Sequence, residues 1–201
     1  MIELEQGQHV GLIGTTGSGK TYFFKAAIMP QCKHLIVVDT EEMQFNALPE
    51  IRGDPLKFVR KLPKDKPYRI RWIPPPTAQP EAMEAMSEAL IRYGRSIEVY
   101  IDELTDFSSA QSMQPWLKSL FRKARKRKIT LVWASQRPAG VNKWAFDNSI
   151  HKFFFYVQEF DRHGLEKLYP GISSQLSSIK WQSYQSIYIG PSGFPAMQPS
   201  A

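Results

Sequence analysis

One segment of the chain reads Gly14-Thr15-Thr16-Gly17-Ser18-Gly19-Lys20-Thr21. It follows the apolar residues 10–13 and precedes a helix-like stretch at 22–29. Glycines in such a segment allow successive backbone N–H groups and a helix N-terminus to point at one anion. The segment therefore predicts a phosphate-binding loop between a strand and a helix.

Two side chains of this loop have predicted contacts with a nucleotide and its metal ion. Lys20 should reach the β- and γ-phosphate oxygens, and the Thr21 hydroxyl should ligate Mg²⁺. A glycine-rich turn that opens an ordinary helix would have a similar composition, but the strand before the loop and the helix after it favour phosphate binding. We expect ATP as the ligand, bound by Gly14, Thr15, Thr16, Gly17, Ser18, Gly19, Lys20 and Thr21.

Apolar, β-branched runs predict strands at residues 34–38, 68–72, 97–101, 129–134 and 153–157. Helical periodicity predicts helices at 80–93 and 115–128. Alternating strands and helices are typical of an α/β fold with a mostly parallel central sheet and helices on both faces. We expect one domain at residues 1–190 and a tail rich in Gly and Pro at 191–201, without regular structure from residue 190 onward.

The composition limits the class of protein. The chain has 26 Lys and Arg residues against 19 Asp and Glu residues, and the formal net charge of +7 favours a polyanionic partner without requiring one. Cys32 is the single cysteine, so a disulfide within the chain is impossible, and no Cys/His cluster has the spacing of a zinc site. These features favour an intracellular protein, and we expect no membrane insertion because no stretch approaches the length of a membrane span.

Two acids follow one of the predicted strands. Asp102 and Glu103 come directly after residues 97–101, at the strand end where open α/β sheets bind ligands. Asp102 would hold Mg²⁺ directly or through water, and Glu103 would orient and deprotonate the attacking water. Two acids at a helix N-terminus would look the same in isolation. The catalytic interpretation gains support from the phosphate loop, whose Lys20 lies 82 residues before Asp102.

A glutamine and a basic segment complete the candidate residues. Gln136 follows the strand at 129–134, and its amide could donate a hydrogen bond to the γ-phosphate or the lytic water, although exposed glutamines before turns are common. Six of the seven residues at 122–128 are cations at a predicted helix C-terminus. A solvated face would account for most of them, but a hydrolytic site of this kind gains rate from an arginine of a neighbouring subunit.

The order of residues 14–21, 97–103 and Ala134-Ser135-Gln136-Arg137-Pro138 resembles that of the FtsK/HerA superfamily of DNA-pumping ATPases. In size and motif order the chain is most similar to the minimal genome-packaging ATPases of membrane-containing icosahedral viruses, including archaeal turreted viruses. The resemblance covers residues 8–170 at motif level. It implies a RecA/ASCE-like P-loop NTPase sheet, in which an additional strand separates the phosphate-loop strand from the acid strand. The separation of 82 positions between Lys20 and Asp102 leaves room for that strand.

The resemblance also implies roles for single residues. The family's metal-binding acid falls on Asp102, its catalytic acid on Glu103 and its polar sensor on Gln136. Arg125 lies eleven residues before Gln136, where relatives carry an arginine finger that acts in trans. Arg162 is the alternative finger, because Asp161-Arg162 is similar to an Asp-Ser-Arg step of the family but lacks its serine.

The resemblance further implies a homo-oligomeric ring, with a hexamer favoured, around double-stranded DNA. Such a motor would package a viral genome into a preformed capsid, docked on a capsid or portal protein at the vertex in the host cytoplasm, or would stay with the virion. Arg137 and Lys143 are predicted to contact the DNA backbone, and residues 105–114 are the alternative pore segment.

Two other functions share the phosphate loop. A phosphotransferase of the nucleotide-kinase type would also bind ATP there. A nucleotide-dependent interaction switch would bind the nucleotide but hydrolyse it slowly and without response to DNA.

Overall fold

Nine strands form one sheet in this computed structural model, which describes residues 3–42, 44–181, 185–193 and 195–198, the last four by their backbone. In chain order the strands are β1 (His9–Ile13), β2 (His34–Val38), β3 (Glu50–Arg52), β4 (Tyr68–Ile73), β5 (Glu98–Ile101), β6 (Thr130–Ser135), β7 (Ser149–Phe154), β8 (Ser186–Ile189) and β9 (Pro195–Gln198). Their order in space is β3-β4-β2-β5-β6-β1-β7-β8-β9. The first seven of these pair in parallel, whereas β8 and β9 pair antiparallel to their neighbours. The predicted mostly parallel α/β sheet is confirmed.

The helices cover both faces of the sheet, as predicted. They are α1 (Lys20–Phe23), α2 (Pro55–Val59), α3 (Gln79–Tyr93), α4 (Pro115–Lys123), α5 (Lys143–Asn148), α6 (Glu159–Leu168) and α7 (Ile172–Ser177). A π-helical turn, Phe24–Ile28, continues α1, and a 3₁₀ turn, Ala124–Arg127, continues α4. Phe24 and Tyr100 pack in the core on one face, while α3 and α4 pack against the other.

The strand that separates β1 from β5 is β6. This confirms the additional strand that the family resemblance implies, but its expected source was wrong. The segment between Lys20 and Asp102 supplies β2, β3 and β4, which extend the sheet on the other side of β5. The separating strand comes instead from the chain after the acid pair.

A tryptophan fixes the position of β1 between its two neighbours. A Cβ atom on Gly11 would lie only 2.5 Å from Cζ2 of the Trp133 indole, so the ring lies directly against the β1 backbone. The indole Nε1 then donates a hydrogen bond of 2.8 Å to the Ser149 hydroxyl in β7. One buried side chain of β6 thus contacts β1 and reaches β7.

The strand predictions fail at the edges of the sheet. The sequence analysis does not predict β3 or β8, and β7 ends at Phe154 instead of continuing through residue 157. The expectation that residues 190–201 have no regular structure is wrong for Pro195–Gln198, which pairs with β8. Proline is tolerated as the first residue of an edge strand, so composition alone does not exclude pairing there. Residues 194 and 199–201 lie outside the described residues, and the proposed boundary at 190 stays a prediction.

Across the described residues, the longest helices are too short or too polar to cross a lipid bilayer.

His9, at the start of β1, is buried between β6 and α4 with only 3% of its surface exposed. Its Nδ1 accepts a hydrogen bond of 3.0 Å from the Leu131 N–H. The proton therefore resides on Nε2, which lies 3.0 Å from the Phe121 carbonyl oxygen and donates to it. Burial lowers the pKa of His9 to about 4, although the hydrogen bond to Phe121 acts to raise this pKa.

Stability should fall in mild acid because of His9. Its pKa of about 4 in the folded protein lies below the ordinary histidine value of 6.5. The unfolded chain therefore binds the proton more tightly, and stability is lost as the pH falls from 6.5 towards 4. We expect the contribution of His9 to the free energy of unfolding to decrease by about 2 kcal/mol as the pH falls from 7 to 5. His9→Gln, which retains a donor and an acceptor but does not titrate, should show a smaller decrease in urea unfolding measured at both pH values. An equal decrease in both proteins would contradict the assignment.

Candidate functional site

Three polar segments meet at one edge of the sheet because they follow neighbouring parallel strands. The phosphate loop follows β1, Asp102 and Glu103 follow β5, and Gln136 follows β6 between them. Strand pairing aligns Ile13 with Ser135, and Ile101 with Trp133, so the three strands end close together. We call this edge the carboxyl edge. The structure brings together all the loop and acid residues that the sequence predicts.

The phosphate loop is attached to the strands on both sides of β1. The Gly14 N–H donates to the Ser135 carbonyl oxygen at 3.1 Å, and the Thr15 N–H donates to that of Tyr156 at 2.9 Å. A Cβ on Gly14 would come within 2.7 Å of the Phe155 Cβ, so only glycine fits there. Gly17 and Gly19 have φ values of 75° and 104°, in the left-handed region that favours glycine.

Lys20 is buried beneath the loop, with 6% of its surface exposed. Its Nζ donates hydrogen bonds to the carbonyl oxygens of Gly14 at 2.7 Å and Thr15 at 2.9 Å. Burial lowers the pKa of the ammonium to about 8, while the charges of Glu103 and Asp102 act in the opposite direction. A phosphate group at this place would supply the countercharge that a buried ammonium requires.

The two predicted metal ligands come from opposite sides of β6, because Thr21 follows β1 and Asp102 follows β5. Oγ1 of Thr21 lies 3.4 Å from Oδ1 of Asp102, which is a long, weak hydrogen bond. The fully buried Tyr100 hydroxyl donates to the same Oδ1 at 2.8 Å. Burial raises the pKa of the Asp102 carboxyl to about 6, although the hydrogen bond from Tyr100 acts to lower this pKa. The Tyr100 ring stacks on Phe24, with centroids 3.8 Å apart, so the turn that follows α1 also supports the acid.

Several features of this site fit a Mg²⁺–triphosphate ligand. The buried Ser18 hydroxyl has no hydrogen-bond partner, as a donor to phosphate would. In the described part of the chain, no cluster of three or more His, Cys, Asp or Glu side chains is arranged to hold a metal ion alone. Mg²⁺ ordinarily takes one or two carboxylates and completes its shell with phosphate oxygens and water. Asp102 and the Thr21 hydroxyl suit that pattern.

Glu103 and Gln136 are connected to each other and to the loop. One carboxylate oxygen of Glu103 accepts from the Gln136 backbone N–H at 2.8 Å, and the other accepts from the Thr105 N–H at 3.2 Å. The Gln136 side-chain oxygen accepts a hydrogen bond from the Thr16 hydroxyl. A change at the phosphate loop can therefore reach the acid through one side chain, which suits the predicted sensor.

The two candidate arginine fingers lie in different places. Arg125 is exposed beside Gly7 at the start of β6, which we call the amino edge, roughly 17 Å of strand away from Gln136. This distance excludes Arg125 from the phosphate loop of its own chain. Arg162 lies at the carboxyl edge, but its guanidinium donates to the Val157 carbonyl oxygen at 3.2 Å and to the Ser177 hydroxyl at 2.6 Å. These contacts hold α6 against α7.

The predicted DNA contacts are also separated. Arg137 is exposed and lines a cavity beside the phosphate loop. Lys143 begins α5, and its ammonium pairs with Asp147 at 2.9 Å, which neutralises part of its charge. The structure does not bring Arg137 and Lys143 into one contact.

Two cavities adjoin at the phosphate loop. The smaller, about 240 Å³, contains Lys20, Thr21 and Asp102, and the larger, about 720 Å³, extends towards the end of β7. Three aromatic residues of the site are absent from the sequence-based predictions: Tyr156 and Trp181 in the larger cavity, and Tyr100 behind Asp102. Tyr100 had a signal, since alternate residues of a strand share a face. Trp181 had no such signal in the sequence, because it follows α7 and is far along the chain from the phosphate loop.

No protein-family model and no curated protein sequence matches the chain. Solved structures do match it. The genome packaging NTPase B204 from Sulfolobus turreted icosahedral virus 2, in complex with ATP-gammaS, aligns with a TM-score of 0.78 at 16% identity, over 98% of this chain and 100% of that one.

Two further solved structures are more distant. The cytoplasmic domain of the Thermomonospora curvata type VII secretion ATPase EccC has a TM-score of 0.60 at 13% identity, over 99% of this chain and 24% of that one. The N-terminal domain of zonular occludens toxin from Neisseria meningitidis has a TM-score of 0.52 at 12% identity, over 96% and 94% of the two chains. These similarities show the fold, and they confirm the P-loop α/β architecture that the motif order predicts.

Tyr100→Phe should weaken metal binding without unfolding the protein. The variant loses the hydrogen bond that orients Asp102, and loss of such an outer-shell partner typically weakens metal affinity by about 10-fold or more. Titration of Mn²⁺ in the presence of AMPPCP, followed by electron paramagnetic resonance, would measure the affinity. Tyr188→Phe is the matched control, because it removes a hydroxyl that bonds to His151 instead. Equal affinities of the two variants would contradict the role of Tyr100.

Proposed function

We propose that the protein is an ATPase that uses Mg²⁺ and couples hydrolysis to the movement of double-stranded DNA. The observation that carries the ATPase proposal is the convergence of Lys20 and Thr21 with Asp102 and Glu103 at one edge of the sheet. The likeness in fold to a genome packaging NTPase and to a secretion ATPase supports it.

Each residue has a distinct role in the proposed reaction. Lys20 and the loop N–H groups bind the β- and γ-phosphates, while Thr21 and Asp102 hold Mg²⁺, which neutralises the charge that develops on the phosphates. Glu103 accepts the proton of the attacking water. The Gln136 amide contacts the γ-phosphate or the water, and its bond to Thr16 re-forms when that contact is lost.

Glu103 must rearrange before it can act on water. Its two oxygens are engaged by Thr105 and by the Gln136 backbone, so the arrangement described here holds the acid beside the sensor. Catalytic hydrogen bonds often form fully only in the complex with substrate. We propose that nucleotide binding, by displacing the Thr16 contact with Gln136, changes this arrangement.

The proposed assembly is a homo-oligomeric ring, a hexamer by preference, in which Arg125 acts in trans. Since Arg125 is exposed at the amino edge and the nucleotide would lie at the carboxyl edge, a head-to-tail contact is needed to join them, and such contacts close into rings. Acidic side chains lie at the carboxyl edge, and the segment that contains Arg125 is basic. The carboxyl edge of one subunit is therefore complementary in charge to this segment of the next.

Double-stranded DNA is the proposed polymer, packaged as a viral genome into a preformed capsid. The net charge of +7 supports a polyanionic partner. So does the basic segment, in which Arg122, Lys123, Lys126 and Lys128 are exposed and form no ion pair with any described carboxylate. Arg137 and Lys143 remain the proposed backbone contacts, and a capsid or portal protein at the vertex remains the proposed docking partner.

The phosphotransferase and the interaction switch remain the alternatives. A phosphotransferase would transfer the γ-phosphate to an acceptor other than water, and a switch would bind ATP with slow turnover that DNA does not change. Phosphate release with and without duplex DNA separates the three functions.

Hydrolysis should depend on Lys20 and Glu103 in different ways. Lys20→Ala should lose ATP binding, because the phosphates lose their buried countercharge. Glu103→Gln should bind ATP but hydrolyse it about 10²- to 10⁴-fold more slowly, since the base is removed. Phosphate release and ATP binding by equilibrium dialysis, each with and without duplex DNA, would measure both effects. Unchanged phosphate release in Glu103→Gln would exclude its role as the base.

The trans role of Arg125 can be tested by mixing subunits. Arg125→Ala should retain ATP binding but lose about 10³-fold in turnover, because the arginine stabilises charge only in the transition state. Mixing it with Glu103→Gln subunits, which keep their arginine, should restore part of the activity. Lys126→Ala is a matched control, since it removes a neighbouring exposed cation. Absence of complementation would remove the trans assignment.

A further inference from the structure

The part of the larger cavity that lies beyond the phosphate loop and Gln136 has no role in the proposed hydrolysis. Its volume is about 720 Å³, and it shares Thr16, Gly17 and Gln136 with the smaller cavity of about 240 Å³. One ligand can therefore occupy both cavities while its middle part lies over the loop. The volume is within the range of small-molecule sites.

The two cavities differ in chemistry. The smaller one contains Lys20, Thr21 and the carboxylates of Glu41 and Asp102, which suit phosphate and a divalent cation. A heteroaromatic ring placed there would occupy the space that phosphate and the cation need. The larger cavity contains two aromatic residues, Tyr156 and Trp181, and lies on the other side of the loop.

Tyr156 is exposed but held firmly in place. Its backbone oxygen accepts hydrogen bonds from the Thr15 N–H at 2.9 Å and the Thr15 hydroxyl at 3.2 Å, so the residue is attached to the loop itself. The side chain is nevertheless 43% exposed. An aromatic ring presented to a cavity from a fixed backbone is suited to stacking on a second ring.

Trp181 forms the adjacent wall. Its ring centroid lies 6.1 Å from that of Tyr156, with the two planes at 75°, so the rings meet at a corner. The indole Nε1 donates to the Leu176 carbonyl oxygen at 3.1 Å, which fixes the ring against the end of α7. The edge of a planar ligand stacked on the face of Tyr156 would therefore lie next to the Trp181 indole.

The geometry points to this corner as the binding site for the base of the nucleoside triphosphate, with the ring stacked on Tyr156. The carboxylate of Asp161 and the amide of Gln158 also line the cavity, and they offer hydrogen bonds to the amino and ring-nitrogen groups of a base. This inference rests on the proposed nucleotide binding at the loop. It adds which residues recognise the base and on which side of the loop the base lies.

Binding of ADP and of inorganic tripolyphosphate, each with Mg²⁺ and measured by calorimetry on the full chain, separates base recognition from phosphate recognition. Tyr156→Leu should weaken ADP binding by about 5- to 150-fold, the range for stacking of a base on an aromatic side chain, and should leave tripolyphosphate binding unchanged. Tyr156→Trp should retain ADP binding because it keeps an aromatic face. Phe160→Ala is the matched control, since Phe160 is 76% exposed on the same segment but does not line the cavity.

Two outcomes would overturn the inference. Equal weakening of both ligands by Tyr156→Leu would mean that Tyr156 supports the loop instead of the base. Selective loss of ADP binding in Tyr22→Ala, but not in Tyr156→Leu, would place the base beside Tyr22 in the smaller cavity. A Lys20→Ala variant that binds both ligands normally would instead reject the proposed nucleotide binding at the loop, whatever Tyr156 does.

Discussion

The contact between the Trp133 indole and the backbone of Gly11 is the constraint on which the site depends. Because Gly11 has no side chain, the indole can lie against β1 and reach the Ser149 hydroxyl in β7. The same tryptophan belongs to β6, which separates the phosphate-loop strand from the acid strand. Two strand spacings, roughly 10 Å, therefore lie between β1 and β5. The start of α1 crosses that distance and brings the Thr21 hydroxyl within 3.4 Å of Asp102.

Burial is what makes the edge chemically useful. Lys20 and Asp102 are both nearly inaccessible to solvent. Burial lowers the pKa of Lys20 and raises that of Asp102, so it favours the neutral form of each group. At Lys20 the charges of Glu103 and Asp102 partly offset this effect. At Asp102 the hydrogen bond from Tyr100 offsets it, whereas the neighbouring acids raise the pKa further. A site in which charges are incompletely compensated binds a charged ligand strongly, since the ligand supplies the missing interactions.

Gln136 joins this chemistry to the rest of the domain. Beyond it, the 3₁₀ turn Pro138–Gly140 packs on α6, where a Cβ on Gly164 would come within 2.6 Å of Ala139. The same helix contributes Asp161 to the larger cavity. A displacement of Gln136 that moves this turn would therefore act on α6, because the close contact of Ala139 with Gly164 leaves no free space between them.

The parallel α/β sheet, the loop at residues 14–21, the acid pair and the place of Gln136 beside them follow from the amino-acid sequence. These features are local, since each depends on a short segment with a fixed spacing and on the rule that parallel strands end at one edge. The tertiary structure alone establishes that β6 separates β1 from β5, that Trp181 meets Tyr156 and that Pro195–Gln198 joins the sheet. It also placed Arg125 at the edge opposite the loop. Such pairings join residues that are distant along the chain, and the free energy that selects them comes from packing across the whole sheet and leaves no pattern in any one segment.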